Sequence, residues 1–346
     1  MAAIEETANA RPARAVLSWS RDLVDPALRA AVEALPASMR RIAGYHFGWW
    51  DEQGRPTTAN GGKAIRPALA LLTAEAVGGA PSAAVPAAVA VELVHNFSLL
   101  HDDVIDGDTT RRHRPTAWSV FGLGAAILAG DALLTLAFDV LAASGHPAAH
   151  EGARMLSAAA QDLNDGQSAD IAFEQRADVD LPEALRMAEA KTGALLGCGC
   201  ALGALFGDGS PEQVKHLRGF GERLGLAFQH VDDLLGIWGD PAVTGKLIYS
   251  DLYNRKKSLP VVAALTSGTR AGRDLATLYH RDQPLSGAEL ARAAKLIDVA
   301  GGRAWSQAQA GDLLAQALRH MRLAGPTARA ATELSALASL ATHRDH

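Results

Sequence analysis

Apolar residues, chiefly alanine and leucine, recur at three- and four-residue spacing along almost the whole chain, while alternating β-branched runs and Asn-Gly turns are nearly absent. That pattern predicts an all-α protein. Helix punctuation divides it: Asp25-Pro26 reads as an N-cap followed by proline at the first helical position, Ser210-Pro211-Glu212-Gln213 as a capping box with the same proline, and Ser286 with Glu289 as another. Between these marks the spacing predicts helices over 25–45, 66–77, 83–106, 117–144, 151–176, 182–206 and 211–237, with shorter helices through the C-terminal third. Glycine- and polar-rich joints fall at 50–62, 107–116 and 239–254. The whole of 1–346 is expected to form one domain, with 1–24 as a flexible lead-in.

Composition narrows the function classes. With 48% hydrophobic and 21% charged residues, the 346-residue chain can bury a large core, which excludes a disordered or fibrous protein. Lys plus Arg number 33 against 38 Asp plus Glu, so no global basic field exists to hold nucleic acid, and any bound anion must be held by local charges. The two cysteines, Cys198 and Cys200, point to different faces of a helix and read as reduced core thiols. The N-terminus carries Glu5, Glu6, Arg11 and Arg14 without an apolar h-region, and uncharged stretches such as 192–207 fall short of the roughly 18–20 apolar residues of a membrane span. A cytoplasmic location with no transmembrane segment is expected.

Two acidic clusters carry the chemistry. Asp102 and Asp106 lie one turn apart at the end of an apolar helix with Asp103 beside them, and Asp232 with Asp233 close a second apolar helix. A helix C-terminus disfavours carboxylates, so neighbouring cations are expected. Hard oxygen ligands suit Mg²⁺, which is commonly held by one or two carboxylates and the phosphates of a substrate. No Cys/His spacing fits zinc, and no phosphate loop of the G-x-x-x-x-G-K-[ST] type is present. Arg111, Arg112, Lys191, Lys246, Lys256 and Lys257 lie near these acids, and Gly62-Lys63-x-x-Arg66-Pro67 leads from a glycine-rich loop into a helix start, an arrangement suited to an anion.

In chain order the motifs are Gly62-Lys63-x-x-Arg66-Pro67, Asp102-Asp103-x-x-Asp106 with Arg111-Arg112, Gly130-Asp131, Gly166-Gln167-x-x-Asp170, Lys191-Thr192, Phe228-Gln229-x-x-Asp232-Asp233, and Lys246 with Asp251 and Lys256. Over about residues 39–260 the chain thereby resembles the trans-isoprenyl diphosphate synthases, the polyprenyl synthetases. The resemblance implies an isoprenoid-synthase-type helical bundle around a deep central cavity, usually a homodimer, with the two aspartate motifs facing each other at its mouth. It implies that Asp102, Asp103, Asp106, Asp232 and Asp233 hold Mg²⁺, three ions per active site. Arg111, Lys191, Lys246 and Lys256 would bind an allylic diphosphate, and Lys63, Arg66, His95 and Arg112 isopentenyl diphosphate. Carbonyl dipoles near Lys191, Thr192 and Gln229 would stabilise a carbocation, in a cavity that excludes water.

By the same resemblance the growing chain descends beside the first aspartate helix, so Phe97 and Ser98, five and four residues before Asp102, form its floor. A single aromatic there implies a short product, geranylgeranyl diphosphate (C20) first and farnesyl diphosphate (C15) second. Two positions depart from the family: Gly236 replaces a third aspartate, leaving Asp240 as a conceivable substitute, and Tyr249 stands where glycine is usual. The rival readings are a class I terpene cyclase and a silent partner subunit of a heteromeric prenyltransferase.

Overall fold

The computed structural model describes residues 10–57, 62, 64–241, 247–279, 281 and 283–342. It is all-α; among the described residues the strands are a two-residue antiparallel pair, Thr110–Arg111 (β1) with Arg114–Pro115 (β2). Lys63 and Lys246 lie outside the described residues.

The chain start differs from expectation. Helix α1 runs Ala13–Glu33 with Pro26 in its interior, and α2, Ala37–His46, follows after Ala34-Leu35-Pro36. Residues 13–24, expected to be flexible, are helical, and Asp25-Pro26 opens nothing. The physical reason is a stripe of buried side chains every four residues, Val16, Ser20, Val24, Leu28 and Val32. That burial offsets the hydrogen bond Pro26 cannot donate, a cost of about 3 kcal/mol. Arg11 pins the entrance of α1: its Nε lies 2.9 Å from Oε1 of the buried Glu333, its Nη2 2.8 Å from Glu75 Oε2, and its guanidinium 3.6 Å from the Trp19 ring centroid.

Contacts group the chain into two compact units. The first comprises residues up to Ala158 with Cys198–Arg218 and His320–Leu337. Its centre is α4 (Val85–Ile105), which packs against α3 (Ile65–Ala76) and, most extensively, α6 (Leu123–Ala142). The continuous helix expected over 117–144 breaks at Gly122, φ 92°, into α5 (Ala117–Phe121) and α6. By length and composition alone, 81–105 and α6 are apolar enough to cross a membrane, a feature the sequence reading did not register. In α4 the apolar run is core: Ala87–Leu93 is buried throughout, whereas α6 exposes Leu123 and Leu128.

The second unit comprises Ala159–Gly197, Gly219–Arg319 and the chain from Ala338. It takes in the C-terminal half of α7 (Ala149–Glu174), then α8 (Leu181–Ala188), opened by an Asp180–Glu183 capping box that the sequence reading missed. The helix expected over 182–206 is interrupted by a π turn, Glu189–Gly193, before α9 (Ala194–Phe206). Helix α10 (Pro211–Trp238), α11 (Ser250–Tyr253), α12 (Leu259–Leu265), α13 (Arg270–Tyr279), α14 (Gly287–Val299), α15 (Gly302–Leu323) and α16 (Ala328–Thr342) complete the order. The capping boxes expected at Ser210–Gln213 and Ser286–Glu289 are both formed. Ile237, Leu252, Val261, Leu275 and Ile297 form one core of this unit, and Phe173, Ala184, Leu226 and Val262 another.

Candidate active site

In the first unit the last turns of α4 carry the first acidic cluster. Asp102 and Asp106 are partly exposed on one face, whereas Asp103 is 1% exposed. Arg111 Nε donates to Asp103 Oδ1 at 2.7 Å, and Oδ2 is buried without a hydrogen-bond partner. Burial outweighs the Arg111 guanidinium and pushes the Asp103 carboxyl up to about 6. Arg111 comes from the β1–β2 hairpin, whose turn residues Arg112 and His113 both have left-handed φ, 52° and 62°. Such a conformation is strained for non-glycine residues and needs external support. Arg114 supplies it, with Nη1 and Nη2 each 3.2 Å from the carbonyls of Tyr45 and Trp50.

Beside the hairpin the same unit gathers cationic and neutral donors. His95 is held well below its usual range by burial, then by Arg66, Arg112, Arg111 and His46. It is therefore a neutral imidazole among guanidinium groups, a setting that favours a bound anion. His46 is pushed down to about 3 by burial and by Arg111 and Arg112, and its Nε2 lies 3.1 Å from Asn96 Oδ1. Asn96 Nδ2 in turn donates to Glu92 Oε1 at 3.1 Å, and burial raises the Glu92 carboxyl. Gly62, φ 102°, leaves the space that Arg112 uses: a Cβ there would stand 2.7 Å from the guanidinium carbon. Ala64, left-handed at φ 49°, then opens α3, which carries Arg66. A cavity of about 490 Å³ lies alongside, bounded by α1 residues, Gly62, Pro67 and Glu92.

The two residues expected at the chain-length floor differ in surroundings. Phe97, 5% exposed, packs edge-on to His101 with centroids 4.7 Å apart, and His101 Nε2 is 3.0 Å from Ile127 O. Gly130 of α6 makes room for that imidazole. Ser98 Oγ donates to His95 O at 2.8 Å, within its own helix.

In the second unit the π turn holds Lys191 and Thr192. Glycines permit the close packing around it: a Cβ on Gly166 of α7 would come 2.9 Å from Lys191 Cα, and one on Gly225 of α10 would come 2.8 Å from Gly193 Cα. Lys191 Nζ is 2.6 Å from Asp170 Oδ2. Thr192 Oγ1 donates to Gln229 Oε1 at 2.6 Å, Gln229 Nε2 to Asp233 Oδ1 at 2.7 Å, and Leu259 N to Asp233 Oδ2 at 2.8 Å. Burial, with Asp251 and Asp232 nearby, pushes Asp233 up to about 8 despite these donors. Asp232, its neighbour, is exposed. In each motif, then, the first aspartate is the more exposed and the second is buried, with protein donors on its carboxylate. Lys256 is partly buried, and Tyr249, left-handed at φ 65°, takes a backbone shape that glycine would adopt without strain.

The more exposed acids of the two motifs, Asp102, Asp106 and Asp232, present carboxylate oxygens. The described residues contain no closed group of three or more His, Cys, Asp or Glu able to cage a metal. That combination fits Mg²⁺, which needs only one or two protein carboxylates when phosphate oxygens and waters complete its shell, and it does not fit structural zinc. Sequence reasoning missed the second-layer partners, Glu92, Asn96 and His46 in one unit and the Asp170 pairing in the other. Tertiary contact alone marks His46 and the Asp170 pairing, whereas Glu92 and Asn96 lie one turn apart on α4.

A family model described as polyprenyl synthetase matches residues 49–297. The (2E,6E)-farnesyl diphosphate synthase of Mycobacterium tuberculosis (strain ATCC 25618 / H37Rv) is 48% identical over 327 residues, 93% of this chain and 91% of the relative. A geranylgeranyl diphosphate synthase of the same strain is 44% identical over 333 residues, 96% of this chain and 94% of the relative. The crystal structure of a polyprenyl synthetase from Streptomyces coelicolor A3(2) is similar with a TM-score of 0.91 at 48% identity, covering 95% of this chain and 99% of that one.

Proposed function

The chain belongs to the polyprenyl synthetase family and is a prenyltransferase, and from that premise we propose that it condenses isopentenyl diphosphate head-to-tail with allylic diphosphates to a short all-trans prenyl diphosphate. The observation that carries the reading is the cationic setting of Arg66 and Arg112 around the buried His95, on the helix that ends in Asp102 and Asp103, which suits a second diphosphate. A terpene cyclase ionises one diphosphate and has no use for a second site.

Asp102, Asp106 and Asp232 would hold Mg²⁺. Bound there, Mg²⁺ would neutralise the diphosphate leaving group. Asp103 and Asp233, which the resemblance implies are metal ligands, act in this reading as positioning groups, because both are buried, with Arg111 on one oxygen of Asp103 and the Gln229 and Leu259 donors on the two oxygens of Asp233. Arg111, Lys191, Lys246 and Lys256 bind the allylic diphosphate, and Lys63, Arg66, His95 and Arg112 that of isopentenyl diphosphate. The allylic C1–O bond ionises, and the π electrons of the isopentenyl double bond form the new C–C bond. The released diphosphate accepts the final proton. Thr192 and Gln229, locked together, hold fixed dipoles toward the allylic cation.

Phe97 supports C20 as the main product, and the 48% relative, named for farnesyl diphosphate, supports C15. The exposed Leu123 and Leu128 of α6 support a homodimer, and a cytoplasmic location fits the sequence reading. The test is incubation of purified protein with isopentenyl diphosphate and C5, C10 or C15 allylic diphosphate, with Mg²⁺ or with EDTA, followed by mass spectrometry of the products. Mg²⁺-dependent linear C15 or C20 diphosphate is expected. Cyclic hydrocarbon from C20 diphosphate alone, or turnover only with a partner chain, would replace the reading.

A further inference from the structure

The condensation reading gives no role to Gly130-Asp131 or to His101, the residue before Asp102. All three meet where α4 packs against α6. Phe97 and His101 stand one turn apart on α4, their rings edge-on at 64° with centroids 4.7 Å apart. From α6, Ile127 O lies 3.0 Å from His101 Nε2, and Asp131 Oδ1 lies 3.5 Å from the same atom. A carbonyl only accepts, so Nε2 carries the proton and the imidazole donates across the helix pair. That bond fixes the ring's orientation, and with it the surface offered to Phe97. Gly130, between Ile127 and Asp131 in the same turn, is what lets the ring fit. A Cβ there would overlap Cδ2 and Nε2 of the imidazole and would stand 3.5 Å from Phe97 Cδ2.

We propose that His101 is a positioning residue for product length: anchored to α6 in the room left by Gly130, it braces Phe97 and so sets how far a prenyl tail descends. The inference deepens the condensation reading and rests on it, with Phe97 as the floor. His101 acts through Phe97 and not on the reacting atoms. Without the imidazole, Phe97 gains room to turn toward α6, the floor sinks, and the tail accepts a further isopentenyl unit before release.

The experiment supplies isopentenyl diphosphate, C10 allylic diphosphate and Mg²⁺ to wild type, His101→Ala, Phe97→Ala, the double variant and Gly130→Ala, and reads the ratio of longer to shorter product by mass spectrometry. His101→Ala is expected to raise that ratio about two- to tenfold, the factor an edge-to-face aromatic contact is worth, with unchanged helical circular dichroism. Acting through Phe97, it should add nothing to Phe97→Ala. Gly130→Ala displaces the imidazole while keeping both α4 side chains, and should shift the same ratio. An unchanged ratio in folded His101→Ala would overturn the proposal, as would full additivity in the double variant. Should His101→Ala not fold, an unchanged ratio in Gly130→Ala overturns it alone. Those results leave the condensation reading standing, whereas a wild type that makes no linear prenyl diphosphate removes both.

Discussion

Arg111 Nε and Asp103 Oδ1 lie 2.7 Å apart, with the Asp103 side chain 2% exposed and that of Arg111 26%. The pair ties a strained hairpin to the end of α4, so the guanidinium is set before any anion arrives. Asp103→Asn keeps the shape and removes the charge partner. It is expected to lower stability by about 1–3 kcal/mol and to raise KM for the allylic diphosphate more than that for isopentenyl diphosphate. Thermal melting and two-substrate kinetics check this; equal effects on both KM values would place Arg111 elsewhere.

Gly166 packs on the π turn without a side chain between them. Gly166→Ala should displace Lys191 from Asp170 and destabilise the protein by about 1–3 kcal/mol, the usual cost of overpacking. Urea unfolding measures the loss, and a variant as stable as wild type would show that α7 yields freely.

Two buried imidazoles make stability depend on acid. His46 and His230 are pushed down to about 3 and about 4, mainly by burial, against an ordinary value near 6.5. Between those values the unfolded chain holds the extra protons, so stability falls as pH drops below about 6.5. His46→Gln should flatten that acid limb in melts from pH 7 to 4, and an unchanged slope would mean His46 already titrates normally.

Asp233 acts with the opposite sign. Its carboxyl is raised from the ordinary 3.8 to about 8, so the folded state keeps a proton that the unfolded state has lost. In metal-free protein stability should therefore decline as pH rises from about 4 to about 8, and Asp233→Asn should remove that decline. Melting temperatures of the two proteins across this window decide it.

Phe97 stands edge-on to His101 at the core side of α4. Phe97→Ala should shift the main product to longer chains at little cost in initial rate. An unchanged product distribution by mass spectrometry would put the floor on another helix.

Most of the helices and both acidic motifs were legible because each rests on local rules. Apolar periodicity marked α3, α4, α7 and α10, and the Ser210 and Ser286 boxes formed as their spacing required. Asp25-Pro26 misled because a strong local signal met a stronger buried stripe. The β1–β2 hairpin carries no turn glycine, and Arg112 and His113 adopt left-handed backbone that no residue preference announces. Tyr249, where the resemblance leads to glycine, adopts left-handed backbone as well.

The sequence by itself determined the helical class, the positions of the carboxylates and cations, and the family, since these depend on periodicity and on residue types at short spacing. Tertiary structure alone decided which aspartate of each pair is more exposed and which is buried, and that Asp251 occupies the space beside Gly236. Solvent exposure and close approach arise when segments far apart in the chain pack together, and neighbouring residues along the sequence carry no record of either.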